Sequence, residues 1–183
     1  MARVGFGEDA PHERFSWETV RWRDGSTFEG LLRERKRASD DGSGVDGGGY
    51  ALHAGRIRYR GGDTYEGEFR DDAMEGLGVY VWKAKGGIYR GEWRGGNMHG
   101  CGVKLHRMQD GSIAPEEGEF VDDKFIGPHG ACSIDRARLA AWRADEAVAS
   151  TRRLYADTVG PPRPLRGIPA AVARWAARLR GKV

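Results

Sequence analysis

The sequence predicts a mainly β protein, an elongated single-layer antiparallel sheet of stacked β-hairpins with a short C-terminal helical appendage. The first observation is that residues 61–102 match themselves at an offset of 24 residues, so that Tyr65 aligns with Tyr89. The second is that each copy holds two runs of alternating character separated by polar turn residues, which is typical of a hairpin. Because a lone hairpin is only marginally stable in water, stacked copies would supply the missing partners.

Each copy of the repeat keeps aromatic residues and glycines at fixed positions. The first run reads aromatic–x–Gly–x–aromatic, and the second run opens with Gly-x-Gly and adds Tyr80 and Trp82 in one copy. We expect the aromatic side chains of successive hairpins to form rows along the sheet, and the glycines to allow close packing of the strands. The repeat-structural residues are Tyr65, Gly67, Phe69, Gly76, Gly78, Tyr89, Gly91, Trp93, Gly100 and Gly102.

This repeat unit resembles the MORN (membrane occupation and recognition nexus) repeat. The stretch from Tyr89 to Gly102 holds nearly the whole motif, including His99 before the Gly-x-Gly, and the preceding copy has Glu75 in place of that histidine. The resemblance implies an array of stacked hairpins without catalytic residues. It also implies a part in ciliary, cytoskeletal, plastid or membrane-associated assemblies.

The N-terminal part of the chain predicts an arm and an interrupted first repeat. Residues 1–14 are polar and predict the arm, and Phe15–Trp22 alternates as a first strand. A repeat begins within residues 26–32, but residues 33–49 are charged and then glycine-rich, without apolar periodicity. We interpret them as an insertion, either a flexible loop or a charged binding loop. Strand character resumes over residues 50–59.

A degenerate copy ends the array. Glu116 stands where the repeat has its first aromatic residue, Phe120 keeps the second, and Pro128 interrupts the Gly-x-Gly position. Terminal repeats are often atypical in this way. The array is therefore predicted to span residues 15–132 with about eight strands.

Residues 133–183 predict a basic helical extension, with 11 Arg and Lys against 4 Asp and Glu. A first helix is expected from Ser133 or Asp135 to about Tyr155, as an end cap over the last strand. A second helix is expected from Pro169 to about Arg180. The positive charge suggests an acidic partner for this extension, or a solvated helix face.

The second predicted helix carries one apolar stripe, which is typical of a helix that docks on a partner protein. Basic residues lie off the stripe, which leaves open an alternative in which the helix lies on anionic phospholipid. The stripe consists of Ile168, Val172, Trp175 and Leu179. The basic residues are Arg174, Arg178 and Arg180.

The variable positions of the second clean repeat predict a charged face that is presented to partner proteins. Arg90, Glu92 and Arg94 alternate along one strand, so their side chains point to the same side. Glu66 and Glu68 take the equivalent places in the preceding copy.

The sequence offers little catalytic or metal-binding chemistry. Cys101 and Cys132 form no CxxC motif, and we interpret both as reduced thiols. His99, Cys101 and His106 lack a fourth ligand at zinc spacing. We therefore expect no catalytic residue, no metal, no cofactor and no small-molecule substrate. The acidic balance of the array argues against nucleic acid as a partner, although the basic extension leaves that partner open.

These observations favour a non-catalytic scaffold subunit that binds partner proteins in a larger assembly. The resemblance implies a ciliary axoneme, in a radial-spoke-like role, or the cytoskeleton as the location, and it leaves a plastid or mitochondrion open. The alternative is a peripheral membrane module that binds anionic phospholipid through the array or the basic extension. A third hypothesis is a regulatory module for an enzyme on a separate chain.

Overall fold

The computed structural model describes residues 15–35 and 49–159. The predicted N-terminal arm, most of the predicted insertion and the second predicted helix lie outside the described residues. The apolar stripe formed by Ile168, Val172, Trp175 and Leu179 therefore stays a prediction.

One antiparallel sheet contains all the strands of the described residues, in the order of the sequence. The sheet confirms the predicted fold class, and it has one strand more than expected because the degenerate last copy still closes a hairpin. The strands are β1 Phe15–Arg21, β2 Thr27–Arg35, β3 Gly49–Arg58, β4 Thr64–Arg70, β5 Ala73–Trp82, β6 Gly87–Arg94, β7 Asn97–Arg107, β8 Ile113–Val121 and β9 Lys124–Gly127. Up to residue 159, where the description ends, one helix follows the sheet, α1 Ile134–Val159. Strand β2 continues to Arg35, into the segment predicted as an insertion.

Three hairpins of the array turn through two residues in the left-handed region. The pair is two glycines between β6 and β7, with φ of 55° and 91°, whereas the flanking hairpins use two aspartates each. Tight hairpins need positive φ at both positions, and aspartate tolerates it better than most other residues. The carboxylate of Asp123 also accepts a hydrogen bond from the Met98 N–H at 2.8 Å, which ties one hairpin turn to the next. The turn residues are Asp71, Asp72, Gly95, Gly96, Asp122 and Asp123.

A row of glycines runs across the sheet, one from each strand from β2 to β8, and each glycine lies directly opposite the next. Aromatic rings occupy the space above them. A Cβ atom on Gly78 would come within 2.5 Å of the Tyr65 ring, and a Cβ on Gly67 would come within 2.5 Å of the Leu77 carbonyl oxygen. The glycine row is Gly30, Gly55, Gly67, Gly78, Gly91, Gly102 and Gly118.

The face of the sheet above the glycine row, the aromatic face, is filled by rings in edge-to-face contact. Tyr65 packs against Trp93 at 5.2 Å between ring centroids, and Trp93 packs against Tyr89 at the same distance. Such contacts stabilise a core beyond the area that they bury. The contacts continue from Phe28 through Phe69 at one end to Phe120 at the other. The predicted aromatic rows are therefore confirmed.

Helix α1 covers the opposite face of the sheet, the helix face, where it contacts β3 to β8. The prediction that this helix caps the end of the array is wrong. The second run of each repeat places valine and leucine side chains on the helix face, and Ile88 on β6 lies among them. This apolar strip needs a cover more than the short last strand does. The helix side chains that meet this strip are Ala137, Ala141, Ala144 and Val148.

Candidate functional site

A second row of residues, the charge row, lies on the helix face beside the glycine row. It consists of the residue that follows the first aromatic position in three successive repeats, namely Glu66, Arg90 and Glu117. Val79 and Val103 separate these residues on the intervening strands, directly opposite their charged neighbours. The sign of the charge therefore alternates from one hairpin to the next.

Helix α1 pairs with every member of the charge row. Arg138 donates to Glu117 at 2.9 Å, Arg90 donates to Asp145 at 3.0 Å, and Arg152 donates to Glu66 at 2.6 Å. The three helix positions are seven residues apart. Seven helical residues rise about 10.5 Å, close to the ~9.6 Å covered by two strand spacings. Each hairpin is therefore matched by two turns of α1.

In two of the three ion pairs the sheet residue is buried and its partner on α1 is partly exposed. Glu66 is 4% exposed and Arg90 is 5% exposed. Glu66 also accepts a hydrogen bond from Arg56 on β3 at 3.2 Å, so that its charge is shared between two arginines. Burial works against the charge on Arg152, but the hydrogen bonds to Glu66 prevail and raise its pKa above the ordinary value. These pairs serve mainly to position α1 on the sheet, because the desolvation cost of burying the charges offsets much of their attraction.

The structure places the predicted partner-binding residues of β6 in three different roles. Arg90 lies under α1, so the prediction that it is presented on an open face is wrong; the docked helix, which sequence reasoning placed elsewhere, covers it. The Glu92 carboxylate accepts the Cys101 N–H at 2.8 Å, as Glu68 accepts the Leu77 N–H at 3.0 Å. Arg94 is exposed. The glutamate of the repeat is therefore a local backbone partner.

Sequence reasoning missed the pairing partners on α1. Arg138, Asp145 and Arg152 alternate in sign at heptad spacing, and the equivalent repeat positions alternate with the opposite sign. That complementarity was the available signal. It becomes visible only when a segment of the helix is compared with the repeat position by position.

Two close pairs stand out among the exposed apolar side chains of the described surface. Leu139 and Trp142, which are 45% and 40% exposed, lie three residues apart on the outward side of α1. Phe125 and Ile126 lie on β9, at the edge of the sheet. Both places could contact another molecule without moving any element of the fold.

The hairpins formed by β4 with β5 and by β6 with β7 are the part of the chain that a family model matches. The family model described as the MORN repeat matches residues 65–86 and 89–108. The chain carries MORN repeats. No curated protein matches it. MORN repeats fit a non-catalytic scaffold or a membrane-binding role.

A disulfide bond between Cys101 and Cys132 ties the MORN array to the start of α1. The prediction of two reduced thiols is therefore wrong. Cys101 takes the middle position of a Gly-x-Gly on β7, and the chain that leaves β9 brings Cys132 back beside it, with 5.2 Å between the Cα atoms. The 31-residue separation between the two cysteines carried no signal, because their proximity depends on where α1 docks.

The described parts of the MORN chain hold no group of three His, Cys, Asp or Glu side chains arranged for a metal ion. Two of the residues considered as metal ligands in the sequence have other contacts: Cys101 is bonded to Cys132, and His99 lies 3.5 Å from Asp122 in the neighbouring hairpin turn. Among the described helices, none is long and apolar enough to cross a membrane.

Proposed function

We propose that this MORN-repeat chain is a non-catalytic structural subunit that binds partner proteins within a larger assembly. The observation that carries this proposal is the exposed pair Leu139 and Trp142 on the outward side of α1. Tryptophan is among the residues that contribute most to protein–protein binding when they are buried at an interface. A partner protein that docks here would bury these two side chains.

The way α1 is held supports the same function. Its inner side is fixed by ion pairs to three hairpins, and its first turn follows a disulfide to β7. A binding surface on a rigid element loses less conformational entropy when a partner docks. Charged side chains next to the apolar pair, such as Arg143 and Glu146, are exposed and would form the polar rim of an interface.

The experiment is affinity purification of the tagged full chain from its native cell, beside the double variant Leu139→Ser/Trp142→Ser. Met108→Ser is the matched control, because Met108 is 46% exposed but lies in the turn between β7 and β8. We expect one defined, stoichiometric set of proteins with the native chain and with the control, and loss of that set with the double variant. Circular dichroism of all three chains checks that the fold is retained.

An unchanged set of proteins in the double variant would contradict the proposed surface. The absence of any stoichiometric partner, together with flotation of the chain with anionic vesicles, would replace the scaffold with the peripheral membrane module. That alternative is favoured by the basic composition of residues 133–183.

We further propose a cytoplasmic or cytoskeletal location, in the cilium, with a radial-spoke-like place in the axoneme. The support is the family resemblance, since MORN arrays of this kind occur in such assemblies. Fluorescence of the tagged chain in ciliated cells tests this location. Signal along the axoneme is expected, and signal confined to a plastid, a mitochondrion or the cell membrane would overturn it.

A further inference from the structure

The contact between α1 and the sheet is specified by charge more than by shape. The apolar side chains that α1 places on the sheet are small, mainly alanines, so a second helix with alanines at the same spacing would fit the same strip. The three ion pairs specify the position of the helix, which the alanines do not, because each pair joins one helix residue to one hairpin.

The alternating signs fix the register of the helix. Sliding α1 by seven residues toward β4 would set Arg138 against Arg90 and Asp145 against Glu66. Like charges that are buried together cost several kcal/mol in general, so such a register is excluded. The helix face therefore accepts a helix whose residues i, i+7 and i+14 are basic, acidic and basic.

The disulfide holds α1 in its place on this face. Cys132 is buried and directly precedes the helix, whose first turn is capped by Ser133. A dithiol reductant would transfer two electrons and two protons to the Cys101–Cys132 bond, giving two thiols while its own two thiols join in a disulfide. Afterwards α1 is held without a covalent cross-link to β7, by its linker from β9, its ion pairs, its apolar contacts with the sheet and the ring contact of Tyr155 with Trp17, which lowers its effective concentration at the sheet.

We propose that the helix face under α1 is a binding surface for a partner helix with the charge pattern of α1, and that the Cys101–Cys132 disulfide controls access to it. The occupant is an amphipathic helix of another polypeptide, with small residues facing the sheet. The inference rests on the proposed scaffold role in taking a protein as the occupant, but it concerns the inner side of α1 rather than Leu139 and Trp142.

The test uses a fluorescein-labelled synthetic peptide with the sequence of residues 134–159 as the probe. It is titrated into the full chain, purified without reductant and then treated or not with dithiothreitol, and fluorescence anisotropy reports binding. We expect binding to be about tenfold tighter to the reduced chain, a difference of one decade in Kd. Cys132→Ser removes the disulfide without a reductant and should bind the peptide as the reduced chain does.

The matched control is the same 134–159 peptide with three substitutions that reverse its charge pattern, Arg138→Glu, Asp145→Arg and Arg152→Glu. It should bind the reduced chain at least about tenfold more weakly, because each charge would then meet its like. Equal binding of the two peptides, equal binding to the oxidised and reduced chains, or no binding to the reduced chain would overturn the inference. None of these outcomes bears on the purification experiment, because the peptide assay contains no partner from the cell.

Discussion

The ring of Tyr89 on β6 lies across the α-carbon of Gly102 on β7. A Cβ atom at that glycine would come within 2.5 Å of two ring carbons, nearer than real side chains approach. The Tyr89 hydroxyl donates to the Glu92 carbonyl at 2.9 Å, which holds the ring in this position. The preceding repeat has the same arrangement with Tyr65 over Gly78. The motif thus pairs its aromatic residue with a glycine on the next strand.

Gly102→Ala is expected to destabilise the chain by about 2 kcal/mol or more, because overpacking forces the ring or the strand to move. Urea unfolding, followed by tryptophan fluorescence, measures the change in the free energy of unfolding. Gly61→Ala is the matched control, since nothing lies within 4 Å of a Cβ at that position, and it should change stability by less than about 0.5 kcal/mol. Equal effects of the two substitutions would show that the ring does not need the glycine.

Removing one partner of a buried ion pair should be more costly than removing both. Asp145→Leu leaves the Arg90 charge buried without a carboxylate, and we expect a loss of about 3 kcal/mol. The double variant Arg90→Met/Asp145→Leu should recover most of that loss, because apolar residues of similar volume often replace such a pair at little cost.

A double-mutant cycle in urea gives the coupling between the two positions. Arg153→Met, at an exposed position of the same helix, controls for the loss of an arginine and should be nearly neutral. A double variant less stable than Asp145→Leu would contradict the role assigned to this pair.

The sheet could be predicted because its specification is local and repeated. The spacing from Tyr65 to Tyr89 gives the repeat period, and the glycines near these tyrosines predict where neighbouring strands come close to each other. Each copy tests the other, so that a change such as Glu75 in place of histidine does not obscure the pattern. Hairpins also join neighbours in the sequence, which leaves few alternative pairings.

The docking of α1 could not be predicted because it depends on contacts between distant segments. Glu66 and Arg152 are 86 residues apart, and neither has a local reason to meet the other. The strand pattern alone predicts that Arg90 is exposed, and only the docked helix shows that it is buried. The pairing of Cys101 with Cys132 follows only after α1 is docked, so the misplaced helix accounts for the wrong predictions about Arg90 and about the two cysteines.

The turn between β6 and β7 offers a comparison within the repeat. Gly95 has φ of 55° and open space where a Cβ would lie, whereas the equivalent Asp71 has φ of 50°. We expect Gly95→Ala to cost about 1 kcal/mol, because alanine resists the left-handed region, and Gly95→Asp to cost less. Thermal unfolding ranks the three chains. An alanine variant as stable as the aspartate variant would show that steric room, and not backbone conformation, decides this position.

Alkaline pH should weaken the array through its buried tyrosines. Burial and the nearby Glu92 charge raise the pKa of Tyr89 above its ordinary value of 10.0, and burial with Glu68 does the same for Tyr65. Above that ordinary value the unfolded chain loses phenol protons that the folded chain keeps. The contribution to stability is therefore complete below pH 10 or so and is lost as the pH rises toward the raised folded values.

Tyr89→Phe separates this effect from packing. The variant loses the hydrogen bond to the Glu92 carbonyl, so it should be about 1 kcal/mol less stable at neutral pH. Its stability should nevertheless fall less steeply above pH 10, because one ionisable group has gone. Urea unfolding at a series of pH values, with phenolate absorbance recorded in parallel, measures both effects. Parallel pH dependences of the native chain and the variant would mean that Tyr89 ionises as freely in the folded sheet as in the unfolded chain.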